Sequence, residues 1–129
     1  MKKIFLLLLV SLAFLSCETK DGIGLSPQVN LTEYTFSQSE DSIEIYSKIN
    51  QEFHLIYEPT FDTANEKPVY TFQSSMHIWQ TSWYIIKTSD HIRYLVKVKP
   101  NTTGKSRQIP VILGGDDYVN NRVKYIQSK

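Results

Sequence analysis

Residues 92–100 read IRYLVKVKP, and their alternation constrains the fold more than any other stretch. Tyr94, Val96 and Val98 fall on one side of an extended backbone, and Arg93, Lys97 and Lys99 on the other. A β-strand separates alternate side chains in this way, and a sheet with one face on a core and one in water accounts for the sorting. The same period of two recurs in TEYTFSQ through Tyr34 and Phe36, and in DSIEIYSK through Ile43 and Ile45 against Ser42 and Glu44. In PVYTFQ it pairs Tyr70 with Phe72 across Val69 and Thr71. Pro100 ends the most regular strand. RQIPVILGG and YVNNRVKYIQ then form two arms divided by Gly114-Gly115-Asp116-Asp117, residues that take positive φ or bond their own backbone. A hairpin is expected there, with Pro110 making its first arm an edge or a bulge. No window of about eleven residues carries a helical face, so the chain is expected to be all-β, a sandwich of about seven or eight short strands. EPTFDTANEKP is a loop by composition, and QSSMHIWQTSWY suits a short strand or one helical turn.

With 129 residues, 41% of them hydrophobic, the chain can build one core and is too short for two ordinary domains. Its start is separate from that domain. MKK provides a positive region and IFLLLLVSLAF about eleven apolar residues, where a membrane span needs about 20, so a signal peptide is expected over residues 1–16. Phe14-Leu15-Ser16-Cys17 resembles the lipobox of bacterial lipoproteins, with Phe14 in place of the usual Leu. That resemblance makes Cys17 the lipidated first residue of the mature chain. Cys17 is also the only cysteine, so no internal disulfide can form. Residues 18–27, ETKDGIGLSP, have a tether's composition with a reach of about 18 Å, and 28–129 form the sandwich.

Charge excludes one class of partner. The chain has 14 basic and 13 acidic residues, and loss of Lys2 and Lys3 with the signal peptide leaves 12 against 13. The remaining lysines are dispersed among glutamates, so no basic patch suited to nucleic acid is expected.

NTTGKSR, residues 101–107, contains GKS, the tail of a nucleotide-binding loop. That motif needs a glycine five positions before Gly104 and a helix after it. Lys99 occupies the first place, and Arg107-Gln108-Ile109-Pro110 cannot start a helix, so no nucleotide is expected. The stretch resembles instead the end of a BACON domain, a Bacteroidetes-associated module with an immunoglobulin-like sandwich. The resembling elements are a Trp strand at Trp83 (SWYIIK), the strand YLVKVKP, and a turn with Asn101, Gly104 and Arg107. The glycine turn Gly114-Gly115 and a last strand ending at Gln127 complete the set. Ser39-Glu40-Asp41 and Ser89-Asp90-His91 stand where the family has glycine-rich turns, and residues 58–82 are longer than its usual connection. The resemblance implies an outer-membrane or cell-surface lipoprotein, facing the periplasm or the exterior, associated with carbohydrate systems.

Catalytic patterns are missing. No serine lies in G-x-S-x-G, and Glu40-Asp41 and Asp116-Asp117 fall in turns rather than across a cleft. His54, His77 and His91, at spacings of 23 and 14, match no local metal pattern and are expected to face solvent. A non-catalytic role without cofactor or metal is therefore expected. Trp79, with Tyr84, Gln80 and Asn65 near it in sequence, is the candidate for stacking on a sugar and bonding its hydroxyls. Trp79 suits core and surface equally, whereas the resemblance assigns Trp83 to the core. Asp41-Ser42-Ile43 and Asp62-Thr63-Ala64 are similar to the three-residue O-glycosylation motif of secreted Bacteroidetes proteins, which makes Ser42 and Thr63 candidate modification sites. The expected function is a glycan- or mucin-binding accessory module, the alternative a structural spacer or protein-interaction subunit of a surface complex.

Overall fold

The computed structural model describes residues 28–59, 66–115 and 118–129. The signal peptide, Cys17, the tether, Thr63, Asn65 and the Asp116-Asp117 turn lie outside the described residues. Among the described residues there is no helix, and the fold is all-β. The strands are β1 (Glu33–Phe36), β2 (Asp41–Tyr46), β3 (His54–Tyr57), β4 (Val69–Gln73), β5 (Met76–Gln80) and β6 (Tyr84–Thr88). They continue as β7 (Arg93–Val98), β8 (Arg107–Gln108), β9 (Val111–Gly115), β10 (Tyr118–Arg122) and β11 (Lys124–Gln127). Three sheets result, in the orders β2-β7-β6-β5-β4, β10-β9-β3 and β1-β11-β8. Inward side chains of all three meet in one core that includes Phe36, Ile45, Leu55, Tyr94, Leu113 and Tyr125.

Eleven strands exceed the expected seven or eight, chiefly because both arms of the last hairpin are divided. Pro110 separates β8 from β9, and Val123 separates β10 from β11. β8 pairs with β11, and β9 pairs with β10, so the two arms step together from one sheet to the other. Proline has no N–H to continue a ladder, while its carbonyl still accepts a 2.8 Å bond from the Glu58 N–H. Of the expected edge or bulge, the edge holds for β8, the outer strand of its sheet, and not for the rest of the arm. Pro110 precedes the ladder of β9, and β9 is the central strand between β10 and β3. At the far end of the chain, β11 takes β1 as a parallel neighbour, Glu33 opposite Lys124 through Phe36 opposite Gln127.

The five-stranded sheet begins as the alternation of residues 92–100 predicts. β7 buries Tyr94, Val96 and Val98 completely and exposes Arg93, Leu95 and Lys97. β2 matches it with Ile43 opposite Val96 and Ile45 opposite Tyr94. The other end of the sheet was ambiguous in sequence and resolves as a hairpin. β4 and β5 pair from Val69–Gln80 to Gln73–Met76 around a two-residue turn, Ser74-Ser75. Both serines have positive φ, 51° and 64°. Two-residue hairpin turns favour this left-handed pair because it matches the strand twist, and they usually recruit Asn-Gly for it. Serine carries a Cβ that is disfavoured in the left-handed region by about 1–2 kcal/mol per residue. Replacing Ser74→Asn together with Ser75→Gly is therefore expected to stabilise the protein by about 1 kcal/mol, raising the midpoint of thermal unfolding by about 4–8 °C. Circular dichroism at the β-sheet minimum reads this directly, and a lowered midpoint would contradict the turn geometry.

Candidate functional site

Residues directly opposite one another in neighbouring strands share a face, so the register of the five-stranded sheet defines two continuous rows across it. One row is Ile43, Val96, Ile86, Trp79 and Tyr70; the next is Ile45, Tyr94, Thr88, His77 and Phe72. Both rows start inside the core and end in water. Val96 and Tyr94 are 0% exposed, Ile86 3% and Thr88 1%; Trp79 and His77 are half-buried; Tyr70 is 50% and Phe72 61% exposed. The sheet thus extends beyond the layer that covers its inner face, and the extension is an open aromatic shelf on β4 and β5.

The rings of the shelf touch at mixed inclinations: Tyr70 and Trp79 are tilted by 44° with centroids 5.3 Å apart, and other pairs are closer to parallel. His77 and Trp79 are inclined by 21°, Tyr70 and His77 by 23°, and Trp79 and the buried Tyr94 by 28°, with centroids 6.0–6.3 Å apart. The Tyr70 hydroxyl lies 2.7 Å from His77 Nδ1 and ties the two strands across the face. Phe72 packs on His77 at 4.8 Å and closes the outer corner. Isolated apolar side chains on a surface are ordinary, whereas a contiguous exposed patch singles this face out as the candidate site.

Of the residues singled out from sequence, Trp79 lies on the shelf and packs partly on the core. Tyr84 does not reach it. Its ring is 2% exposed on the inner face of β6, so its assignment to ligand is corrected: strand alternation carries it into the core. Gln80 is corrected too. It is exposed but alternates with Trp79, so it belongs with Met76 and Ile78 to the opposite face. Asn65 lies outside the described residues. Ser42 is exposed on the outer face of β2, opposite Lys97, and Thr63 lies outside the described residues.

The histidines overturn a further expectation, since they are gathered rather than scattered in solvent. His91 lies with its ring 4.9 Å from that of His54 and 4.7 Å from that of His77, at the inner border of the shelf. His54 opens β3, His77 is in β5 and His91 is in the turn between β6 and β7, so only the fold brings them together. Spacing along the chain carries no trace of this. Among the described residues no group of three His, Cys, Asp or Glu is arranged to hold a metal ion.

The residues of the family-like pattern meet at the other end of the molecule. The Arg107 guanidinium lies 4.3 Å over the half-buried Trp83 ring, and its Nε donates to Gln127 Oε1 at 2.9 Å. Its Nη2 donates to the carbonyls of Lys99 and Pro100, both at 3.3 Å. Gln127 Nε2 donates to Lys99 O at 2.7 Å. Asn101 Nδ2 donates to Lys105 O and Ser128 O, while its Oδ1 accepts from the N–H and hydroxyl of Thr103. Gly104 has φ of 76°, and two-residue β8 follows this loop where a phosphate-binding loop would require a helix. Trp83 therefore sits at the border of the core beneath a cation.

Comparisons of the chain with protein-family models, with curated proteins and with solved structures give no match.

Tyr84 leaves a local imbalance. Burial pushes its hydroxyl pKa up, and the hydroxyl is buried without a hydrogen-bond partner among the described residues. An unmatched buried hydroxyl costs about 1–3 kcal/mol. Tyr84→Phe is accordingly expected to raise stability by about 1 kcal/mol in urea unfolding and to leave any binding at the shelf unchanged.

Proposed function

We propose that this protein is a cell-envelope lipoprotein whose immunoglobulin-like, BACON-like sandwich holds the β4–β5 shelf out to bind glycans, with mucin chains as the first class to test. The observation that carries this reading is the contiguous group of Tyr70, Phe72, His77 and Trp79 rings on one face of β4 and β5, open to water at its outer end. The C–H face of a pyranose ring is apolar and packs against exposed aromatic rings; imidazole and phenol groups beside it can bond its hydroxyls. Rings fixed by strand pairing lose little conformational freedom on binding, which favours affinity from a small contact. No acid, base or nucleophile is needed for this role, and the proposed protein is non-catalytic.

Trp79 provides the readout. Titration with a mucin-derived oligosaccharide is expected to quench tryptophan emission, and Trp79→Ala to weaken binding at least tenfold while the fold is retained. Tyr70→Ala is expected to weaken it several-fold. A blank glycan array together with unchanged emission would overturn the reading.

The alternative, a protein-interaction subunit, is favoured by one observation. β4 is the outer strand of its sheet and all five of its residues are exposed, Val69 by 66%. Such an edge suits strand addition by a partner. Both readings place the domain at the membrane through Cys17, on the inner or outer leaflet of the outer membrane. A palmitate analogue fed to cells is expected to label the wild-type chain and not Cys17→Ala, and labelling of both would remove the anchor from the proposal.

A further inference from the structure

Three imidazoles meet through tilted ring contacts, and His91, the central one, is held by its own turn. Its backbone is left-handed, φ 59°, in a region that a non-glycine residue enters at a cost. The strained turn is fixed from three sides. The His91 N–H donates to Thr88 Oγ1 at 2.9 Å, and the Phe53 N–H donates to the His91 carbonyl at 2.8 Å. Asp90 Oδ1 accepts from the N–H groups of Ile92 and Arg93.

The side chain is fixed as well. His91 Nδ1 lies 2.7 Å from the Tyr94 hydroxyl, and that hydroxyl donates to Phe53 O at 2.8 Å. Its single proton is thus committed, so His91 Nδ1–H is the donor and Nε2 carries the lone pair. A second proton can enter only at Nε2, and it would charge a ring wedged between two other imidazoles. Tyr94 is 0% exposed, tilted against Phe53 at 4.8 Å and stacked beneath Trp79. It joins the histidine cluster to the core on one side and to the shelf on the other.

We propose that His91, in ring contact with both His54 and His77, is an acid-sensitive latch that holds the β6–β7 turn and the start of β3 against the shelf when neutral and releases them when protonated. Weakened glycan capture in acid is the consequence, and that part alone rests on the glycan reading. The groups facing His91 are His54 from β3, His77 from β5, Tyr94 from β7, Glu52 before β3 and Asp90 in its own turn. Burial, then His54, then His77 lower the His91 pKa, against a smaller opposing pull from Glu52 and Asp90. With the folded value below the ordinary one of about 6.5, the unfolded chain binds more protons than the folded one. Stability contributed by neutral His91 is therefore complete above about pH 6.5 and declines as the pH falls from there through the folded value.

Two measurements test the latch without any ligand. In the unmodified protein, the ring proton resonances of the histidines are followed by NMR from pH 8 to pH 5. His91 is expected to titrate below about pH 6.5, and its midpoint to rise in His54→Gln and in His77→Gln. In a Trp83→Phe background, where Trp79 is the sole tryptophan, emission is expected to shift with the same midpoint. His91→Asn, which suits a left-handed backbone, is expected to abolish the shift. Titration of His91 at or above about pH 6.5, or an emission shift that survives in His91→Asn, would overturn the proposal. Because neither readout uses a glycan, a blank array would remove the proposed function and leave the latch to stand or fall by itself.

Discussion

Gln127 and Asn101 are the two amides on which the closed end of the fold depends. Both are buried, at 0% and 1% exposure, and a buried amide without partners costs more than most single contacts supply. Their partners are spread along the chain: Arg107 at the start of β8, the Lys99 carbonyl after β7, Lys105 in the loop and Ser128 beyond β11. The Asn101 N–H also donates to Gln38 O between β1 and β2. Satisfying two side chains therefore fixes how the ends of β1, β7, β8 and β11 meet. Arg107 adds a charge whose burial is offset by two carbonyls, an amide oxygen and the Trp83 ring, with the planar guanidinium suited to all of them at once. Hydrophobic packing alone would tolerate slippage here, because it has no preferred direction.

The opposite border of the five-stranded sheet has the contrary design. Its two side-chain rows continue without interruption from the core to open water, so the shelf is a part of the hydrophobic face that nothing among the described residues covers. Rigidity comes from the strand ladders and from the Tyr70–His77 bond rather than from burial. Glu66 assists at the base of the hairpin. Its carboxylate accepts from the hydroxyl and the N–H of Ser82, which holds its pKa below the usual carboxylate range. A surface that remains apolar without collapsing needs this kind of lateral support.

How much of this was legible in the sequence depends on whether the information was local. β7 and β2 could be read from alternation because one of their faces is buried along its whole length, and period two records that burial. β4 was also read as a strand, yet alternation said nothing about which face was covered, and in the fold neither is. β5 was ambiguous because Ser-Ser is a poor signal for a left-handed turn; the pairing of β4 with β5 imposes the conformation from outside. Tyr84 and Gln80 were placed near Trp79 by proximity in sequence, although strand geometry sends Gln80 to the other face and Tyr84 into the core. The histidines show the limit most clearly. Their meeting depends on the start of β3 lying against the β6–β7 turn, where the Phe53 N–H bonds the His91 carbonyl, a long-range contact that residue spacing cannot encode.

That contact also explains why one residue can matter to two distant properties. Tyr94 belongs by alternation to the core, and a phenylalanine there would fill the same space. Its hydroxyl does what a phenylalanine cannot: it bonds the Phe53 carbonyl on one side and the His91 imidazole on the other, 41 and three residues away. Burial raises the Tyr94 pKa, so the hydroxyl keeps its proton and its donor role throughout the range in which histidines titrate. The polarity of the link is consequently fixed, and any change in charge at the cluster must be absorbed by the imidazoles and by the turn that carries His91. Trp79 rests on the ring of the same tyrosine. The strained turn and the shelf therefore meet on one fully buried side chain.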